Sequence, residues 1–258
     1  MADFIKFLGT AGARFVTMRQ LRSSAGVLYS LRGFQFLLDP GPGALVRCAA
    51  SRPRLDPLEL DALVLSHNHL DHSGDINVMI EAMTDGGFKK RGRLFCARQA
   101  LEDDPVVLHY LRGFLQAIVT LEEGGSYQLA PGLVLKTPLR HRHPMETYGL
   151  RLEAPQLTIG HIVDTLHFER LAEAYAGSQV LILNVVRLRK DEKDTRDIQH
   201  LTADDARRLI ADIRPRMAIL THFGMSMLRA KPWEVARRLA EETGVEVHAA
   251  GDGSTFQI

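Results

Sequence analysis

The stretch SHNHLDHSGD, residues 66–75, places His67, His69, Asp71 and His72 within six positions. Three imidazoles and a carboxylate desolvate badly when crowded together, and a bound cation stabilises such crowding. In an extended turn His67 and His69 point the same way, as residues i and i+2 do. Asp71 and His72 follow on the bend into the next element, so they aim at a displaced point. That division suits one metal ion for the first pair and a second for the latter pair. A catalytic metal site needs more ligands, and three other stretches offer them. HRHPMETYG (141–149) presents His141 and His143, IVDT (162–165) presents Asp164, and ILTHFG (219–224) presents His222. A carboxylate such as Asp164 can bridge two cations, whereas an imidazole binds one.

These residues must be held by something, and the apolar patterning says what. DALVLS, just before the histidine cluster, has the length and branching of a buried strand. DFIKFL, GVLYSL and FQFLLD read as earlier strands, with the Gly-rich turns LGTAGA and DPGPGA after the first and third. ALVRCAAS reads as a short helix, DINVMIEAMTDGG as a longer one ending at glycines, and RLFCA as a strand. The segment 97–124, with its apolar PVVLHYLRGFLQAIV, predicts mostly helix. In the second half YQLAPGLVLKT, TYGLRLE, QLTIGHIVD, QVLILNVV and MAILTH read as strands. LHFERLAEAYAG, TADDARRLIADIRP and KPWEVARRLAEETG read as helices, the second starting at Thr202 with Asp204 and Asp205 in its first turn. VEVHAA and STFQI are expected to close the sheet. The alternation predicts an α/β protein built as a single domain over residues 1–258. Its expected form is a four-layer αββα sandwich with polar loops and ligands at the strand ends.

Composition excludes several classes. The 258 residues are 45% hydrophobic and 24% charged, an ordinary globular balance. No apolar run approaches the ~20 residues of a membrane span, and the start MADFIKFLGTAG lacks the pattern of an export signal. Cys48 and Cys96 read as reduced thiols in a cytoplasmic protein. The net charge of +1 gives no long-range field for a polyanion. Two basic clusters, KKRGR (89–93) and RLRK…K…R (187–196), read as solvated loops, with phosphate contact as the alternative. Nothing in the sequence specifies an oligomer, though a homodimer is compatible with it.

Taken in order, LGTAGA, LLDPGPGAL, SHNHLDHSGD, HPMETYGLRL, IVDT and LTHFG resemble the metallo-β-lactamase-fold hydrolases over essentially the whole chain. The resemblance implies His67, His69 and His143 on a first metal and Asp71, His72 and His222 on a second, with Asp164 bridging. It favours His143 over His141 because of the distance to the aromatic–glycine pair Tyr148–Gly149. It also matches Asp39 to an aspartate that orients a ligand histidine through its other ring nitrogen. An all-nitrogen-and-oxygen set suits two zinc ions, with manganese or iron(II) as alternatives.

Within that family neither cysteine lies near a ligand stretch, unlike the true β-lactamases. The H-T-P-G-H-T-x-G segment of glyoxalase-type thioesterases and lactonases is absent. HPMETYGLRL instead resembles the ribonuclease Z group and its cyclic-phosphate-cleaving relatives. IQHLTADDARRLI (198–210) resembles that group's His–Ser/Thr helix start, which implies His200 as a proton donor. Asp71 and His200 are therefore the candidate catalytic residues. The expected activity is hydrolysis of RNA or a small cyclic or nucleotide phosphodiester by a metal-bridging hydroxide. A carboxylic ester, lactone or amide is the alternative substrate class. Arg140, Arg142 and Arg187 are candidate phosphate contacts, and His161 a candidate supporting residue for Asp164.

Overall fold

The structure, a computed structural model, describes residues 3–102, 105–190 and 199–258. Most of the second basic cluster, from 191 onward in KDEKDTR, lies outside the described residues. Two compact units divide the chain. One comprises Met1–Thr10, Arg22–Leu121 and Gly251–Ile258, the other Ala11–Leu21 and Glu122–Ala250.

In the first unit β1 (Phe4–Phe7), β2 (Val27–Leu31) and β3 (Phe34–Leu38) run antiparallel. Between β1 and β2 lies α1 (Ala13–Met18), whose residues belong to the second unit. After β3 the pairing becomes parallel, through β4 (Ala62–Leu65), β5 (Arg93–Ala97) and β6 (Ala117–Leu121). Parallel strands covered on both faces read as continuous apolar runs, and the ALVL of β4 is buried at every position. The helices of this unit are α2 (Ala44–Ala50), α3 (Leu70–Ser73), α4 (Ile76–Met83) and α5 (His109–Arg112). α4 carries Ile76, Met79, Ile80 and Met83, the i, i+3, i+4, i+7 spacing of a single helical face, and all four are buried. With Ala44, Cys48 and Leu111 they cover Leu37, Leu63, Leu65, Leu94 and Cys96 of the sheet. On β2 and β3, Tyr29 and Phe36 are register partners whose rings stack 4.7 Å apart.

In the second unit β7 (Gly125–Ala130), β8 (Leu133–Thr137), β9 (Leu150–Ala154) and β10 (Leu157–Ile162) form an antiparallel meander. After α6 (Arg170–Ala174) the chain enters β11 (Val180–Arg187), parallel to β10. The two-residue β12 (Leu201–Thr202) pairs with the end of β11 and leads into α7 (Ala203–Ile213). Then come β13 (Met217–Thr221), α8 (Met225–Arg229), α9 (Pro232–Thr243) and β14 (Glu246–Ala249). Leu209 and Ile210 of α7 and Val235 and Leu239 of α9 pack with Leu181, Leu183, Ala218 and Leu220. The last strand, β15 (Thr255–Gln257), belongs to the first sheet and pairs with β1. Among the described residues no helix is long and apolar enough to cross a membrane.

Besides the turn that splits YQLAPGLVLKT into β7 and β8, the structure corrects the sequence reading in three places. The expected helix over 97–124 is a single turn, α5, followed by β6. Gly113 breaks the run, and the β-branched Ile118, Val119 and Thr120 pair in register with Leu94, Phe95 and Cys96. VEVHAA and STFQI do not close one sheet, since β14 completes the second and β15 the first. The helices α1 and α8, each under two turns, were not expected at all.

The start at Thr202 is a capping box. Its hydroxyl accepts from the Asp205 N–H at 3.2 Å, while the Asp205 carboxylate accepts from the Thr202 N–H at 3.0 Å. Thr202→Ala should therefore lower unfolding stability by about 1 kcal/mol, read as an earlier urea midpoint at unchanged slope. An unchanged midpoint would show that the cap contributes nothing.

Candidate metal centre

The donors of the first unit gather on one buried carboxylate. Asp39 follows β3 with a left-handed backbone, φ 51°, unusual for a residue with a side chain. Its N–H donates to the Val64 carbonyl at 2.8 Å, which ties it beside the end of β4. Oδ1 accepts from the Ser66 N–H at 2.7 Å, and Oδ2 accepts from the Ser66 hydroxyl at 2.7 Å and from His72 Nδ1 at 2.8 Å. Because the Ser66 hydroxyl donates to Asp39, its oxygen is left to accept from His67 Nδ1 at 3.0 Å. The same carboxylate thus directs the protons of His67 and His72 to Nδ1 and leaves Nε2 of each as a lone-pair donor.

His67 Nε2 lies 3.1 Å from His69 Nδ1. Two nitrogens on one tetrahedral cation at ~2.05 Å would stand roughly 3.3 Å apart, so the pair has the spacing of a shared ion. His72 Nε2 faces Asp71 Oδ2 at 3.9 Å. Asp71 and His72 both lie on α3, which begins directly after His69. Gly41 makes this packing possible, because a Cβ there would collide with the Asp71 carbonyl.

The donors of the second unit gather on Asp164, just past β10 and 1% exposed. Its Oδ1 lies 3.3 Å from His222 Nδ1, and its Oδ2 lies 3.5 Å from His200 Nδ1. His222 ends β13 with φ 60°, a second site residue in the left-handed region. Gly12 packs against it so closely that a Cβ would meet its carbonyl and ring, and the Gly12 N–H donates to the Phe223 carbonyl at 3.0 Å. His143 donates from Nδ1 to the Gln199 carbonyl at 3.0 Å, which presents its Nε2. One ligand atom each of His143, Asp164 and His200 lies within 4.8 Å of the others.

His141 is not in that group. Its Nε2 meets the Tyr175 hydroxyl at 3.0 Å, and burial lowers its pKa to about 3, so it is a neutral packing residue. Among the candidate arginines, Arg142 stacks on Phe168 with 4.7 Å between guanidinium carbon and ring centre. Arg140 pairs with Tyr148, and Arg187 ends β11. His161 donates to Asn184, whose amide donates to Asp164 Oδ1 at 2.9 Å. Asn184 was missed by the sequence reading, although an amide inside the apolar run VLILNVV was a visible anomaly.

The profile of the Beta-lactamase superfamily domain matches residues 35–223. The uncharacterized protein MJ1374 of Methanocaldococcus jannaschii is 32% identical over 98% of this chain and 94% of its own length. The metallo-β-lactamase fold protein YhfI of Bacillus subtilis superimposes over all of both chains with a TM-score of 0.81 at 18% identity. A diphosphatase of the PhnP family gives 0.74 at 19% identity, covering 100% of this chain and 98% of that one. The short form of human tRNase Z gives 0.72 at 17% identity over 99% of each. At these identities the solved structures establish the fold, which is that of the metallo-β-lactamases.

Asp39→Asn would leave one acceptor oxygen for three donors and set an amide N–H against one of them. Zinc affinity should fall 10–100-fold, measured by competition with a chromogenic chelator. Wild-type affinity in that variant would show that Asp39 does not set the histidine orientation.

Proposed function

Since this chain belongs to the β-lactamase superfamily of metal-dependent hydrolases, we propose that it is a dinuclear phosphodiesterase acting on RNA or on a small cyclic or nucleotide phosphodiester. The family pattern, carried onto the two donor groups, assigns His67, His69 and His143 to one ion. It assigns Asp71, His72 and His222 to the other, and Asp164 to both. The donor set fits divalent ions: it offers only nitrogen and oxygen, the imidazoles of His67, His72 and His143 are turned by fixed partners, and the Asp164 carboxylate is buried. Zinc suits this chemistry best. Bound ions would supply Lewis acidity and a water of lowered pKa.

The observation that carries the phosphodiester reading is His200, held beside Asp164 at the head of α7. A phosphodiester leaves as an alkoxide that needs a proton, and an imidazole at the edge of the donor group can deliver one. Asp71, whose carboxylate faces His72 Nε2 at 3.9 Å, is assigned as a ligand of the second ion. Two structural neighbours, a diphosphatase and a tRNase, bear names of enzymes that act at phosphorus.

Metal-loaded protein should turn over bis(p-nitrophenyl) phosphate faster than p-nitrophenyl acetate or a lactone panel, and lose that turnover to a chelator. Ester or lactone turnover alone would overturn the assignment. Asp164→Ala should lose activity and at least half of the bound metal, whereas retention of both ions would refute the bridging role.

His200→Ala should slow an RNA or alkyl diester by about 10²–10⁴-fold. Its effect on a p-nitrophenolate leaving group, which needs no proton, should be much smaller at unchanged metal content. Loss of metal from that variant would make His200 a ligand instead.

A further inference from the structure

Asn184 is 4% exposed and stands within β11, whose other seven residues are all apolar except the terminal Arg187. A primary amide taken out of water without partners costs a few kcal/mol, on the order of 1–3 in protein measurements, so its partners explain its presence. It has two. Nδ2 donates to Asp164 Oδ1 at 2.9 Å, and Oδ1 faces His161 Nε2 at 3.2 Å.

The sheet register builds this chain of contacts. β10 and β11 are parallel neighbours with His161 opposite Ile182. Side chains two apart on a strand share a face, so Asn184 lies on the same face as Ile182 and diagonal to His161. Asp164 follows three residues after His161, just beyond the end of β10. The amide thereby spans from a buried ring to a buried carboxylate.

Directionality makes the arrangement specific. An asparagine alone can present its oxygen or its nitrogen to a carboxylate, and only the nitrogen attracts. His161, 2% exposed, settles the choice when Nε2 carries the proton, because that N–H requires the amide oxygen. With the amide so turned, Asp164 Oδ1 is held by a neutral donor, and Oδ2 stays directed toward the side of His200.

From this geometry we infer that Asn184 is a positioning residue that fixes the Asp164 carboxylate for metal binding, and that His161 acts through Asn184. The inference rests on the reading of Asp164 as a metal ligand. Neither residue touches substrate, and neither is a ligand.

The test is zinc affinity, measured on the full-length protein by chelator competition, with the urea midpoint of the zinc-free protein recorded alongside. Asn184→Ala should weaken zinc binding 10–100-fold. His161→Leu should weaken it less, and His161→Gln, which keeps an N–H donor, should restore most of the loss. In the Asn184→Ala background His161→Leu should add nothing further.

Wild-type zinc affinity in N184A would overturn the role of Asn184 while leaving the hydrolase reading intact. A full additional loss from H161L in the N184A background would overturn the route through Asn184. If N184A does not fold, the His161 pair decides alone: equal affinity of H161L and H161Q would overturn the inference. Failure of the wild-type protein itself to bind zinc, manganese or iron(II) would overturn the metal-hydrolase reading and this inference together.

Discussion

A carboxylate buried in a protein interior must be surrounded by donors, and the donors it collects lose their freedom in turn. Asp39 is that constraint here. It ties together the ends of β3 and β4 through Val64 and Ser66, and through Ser66 and His72 it decides which nitrogen of two histidines carries a proton. The ring orientations of His67 and His72 are therefore set by the protein itself. The left-handed backbone at Asp39 is a local strain of ~1–3 kcal/mol that the three accepted hydrogen bonds offset.

The second unit solves the same problem with a neutral group. Asp164 is held by an amide, and the amide by a ring, a neutral support for the carboxylate charge that a cation would meet. A second cationic side chain in Asn184's place would compete with metal for that charge. His143 is turned by a backbone carbonyl and His222 by a left-handed bend at the end of β13. Three different devices thus aim three side chains: a loop carbonyl, a bend after a strand, and a polar residue inside a buried strand.

Much of this was legible because strands and ligands leave strong marks. Runs such as ALVL and VLILNVV are too apolar and too short to be anything but buried strands, and donors after such runs stand out. The Gly12 and Gly41 turns were visible as glycine-rich stretches, but the reason, that His222 and Asp71 pass within contact of them, was not. The region 97–124 misled because an apolar run of that composition suits a helix or a strand equally, and the available neighbour, β5, chose the strand. The sheet membership of β14 and β15 depends on partners far away in sequence, which periodicity does not encode. Asn184 was less legible because an amide marks a site more weakly than a charged or imidazole side chain, although its place inside an apolar strand is the informative departure. The preference for His143 over His141 was carried by the resemblance alone, and the contact of His141 with Tyr175 supplies its physical reason.

The pairing of Lys6 with Thr255 and of Ile5 with Phe256 sets a timetable. β1 and β15 are separated by nearly all of the chain between them, so this pairing waits until both strands have been made. Contacts of such long sequence separation are slow to form, and domains on the ribosome tend to organise from the N-terminal side. The histidine-bearing loop that Asp39 braces is made before His143, Asp164 or His222 has emerged, so three of the seven proposed ligands do not yet exist when it leaves the ribosome.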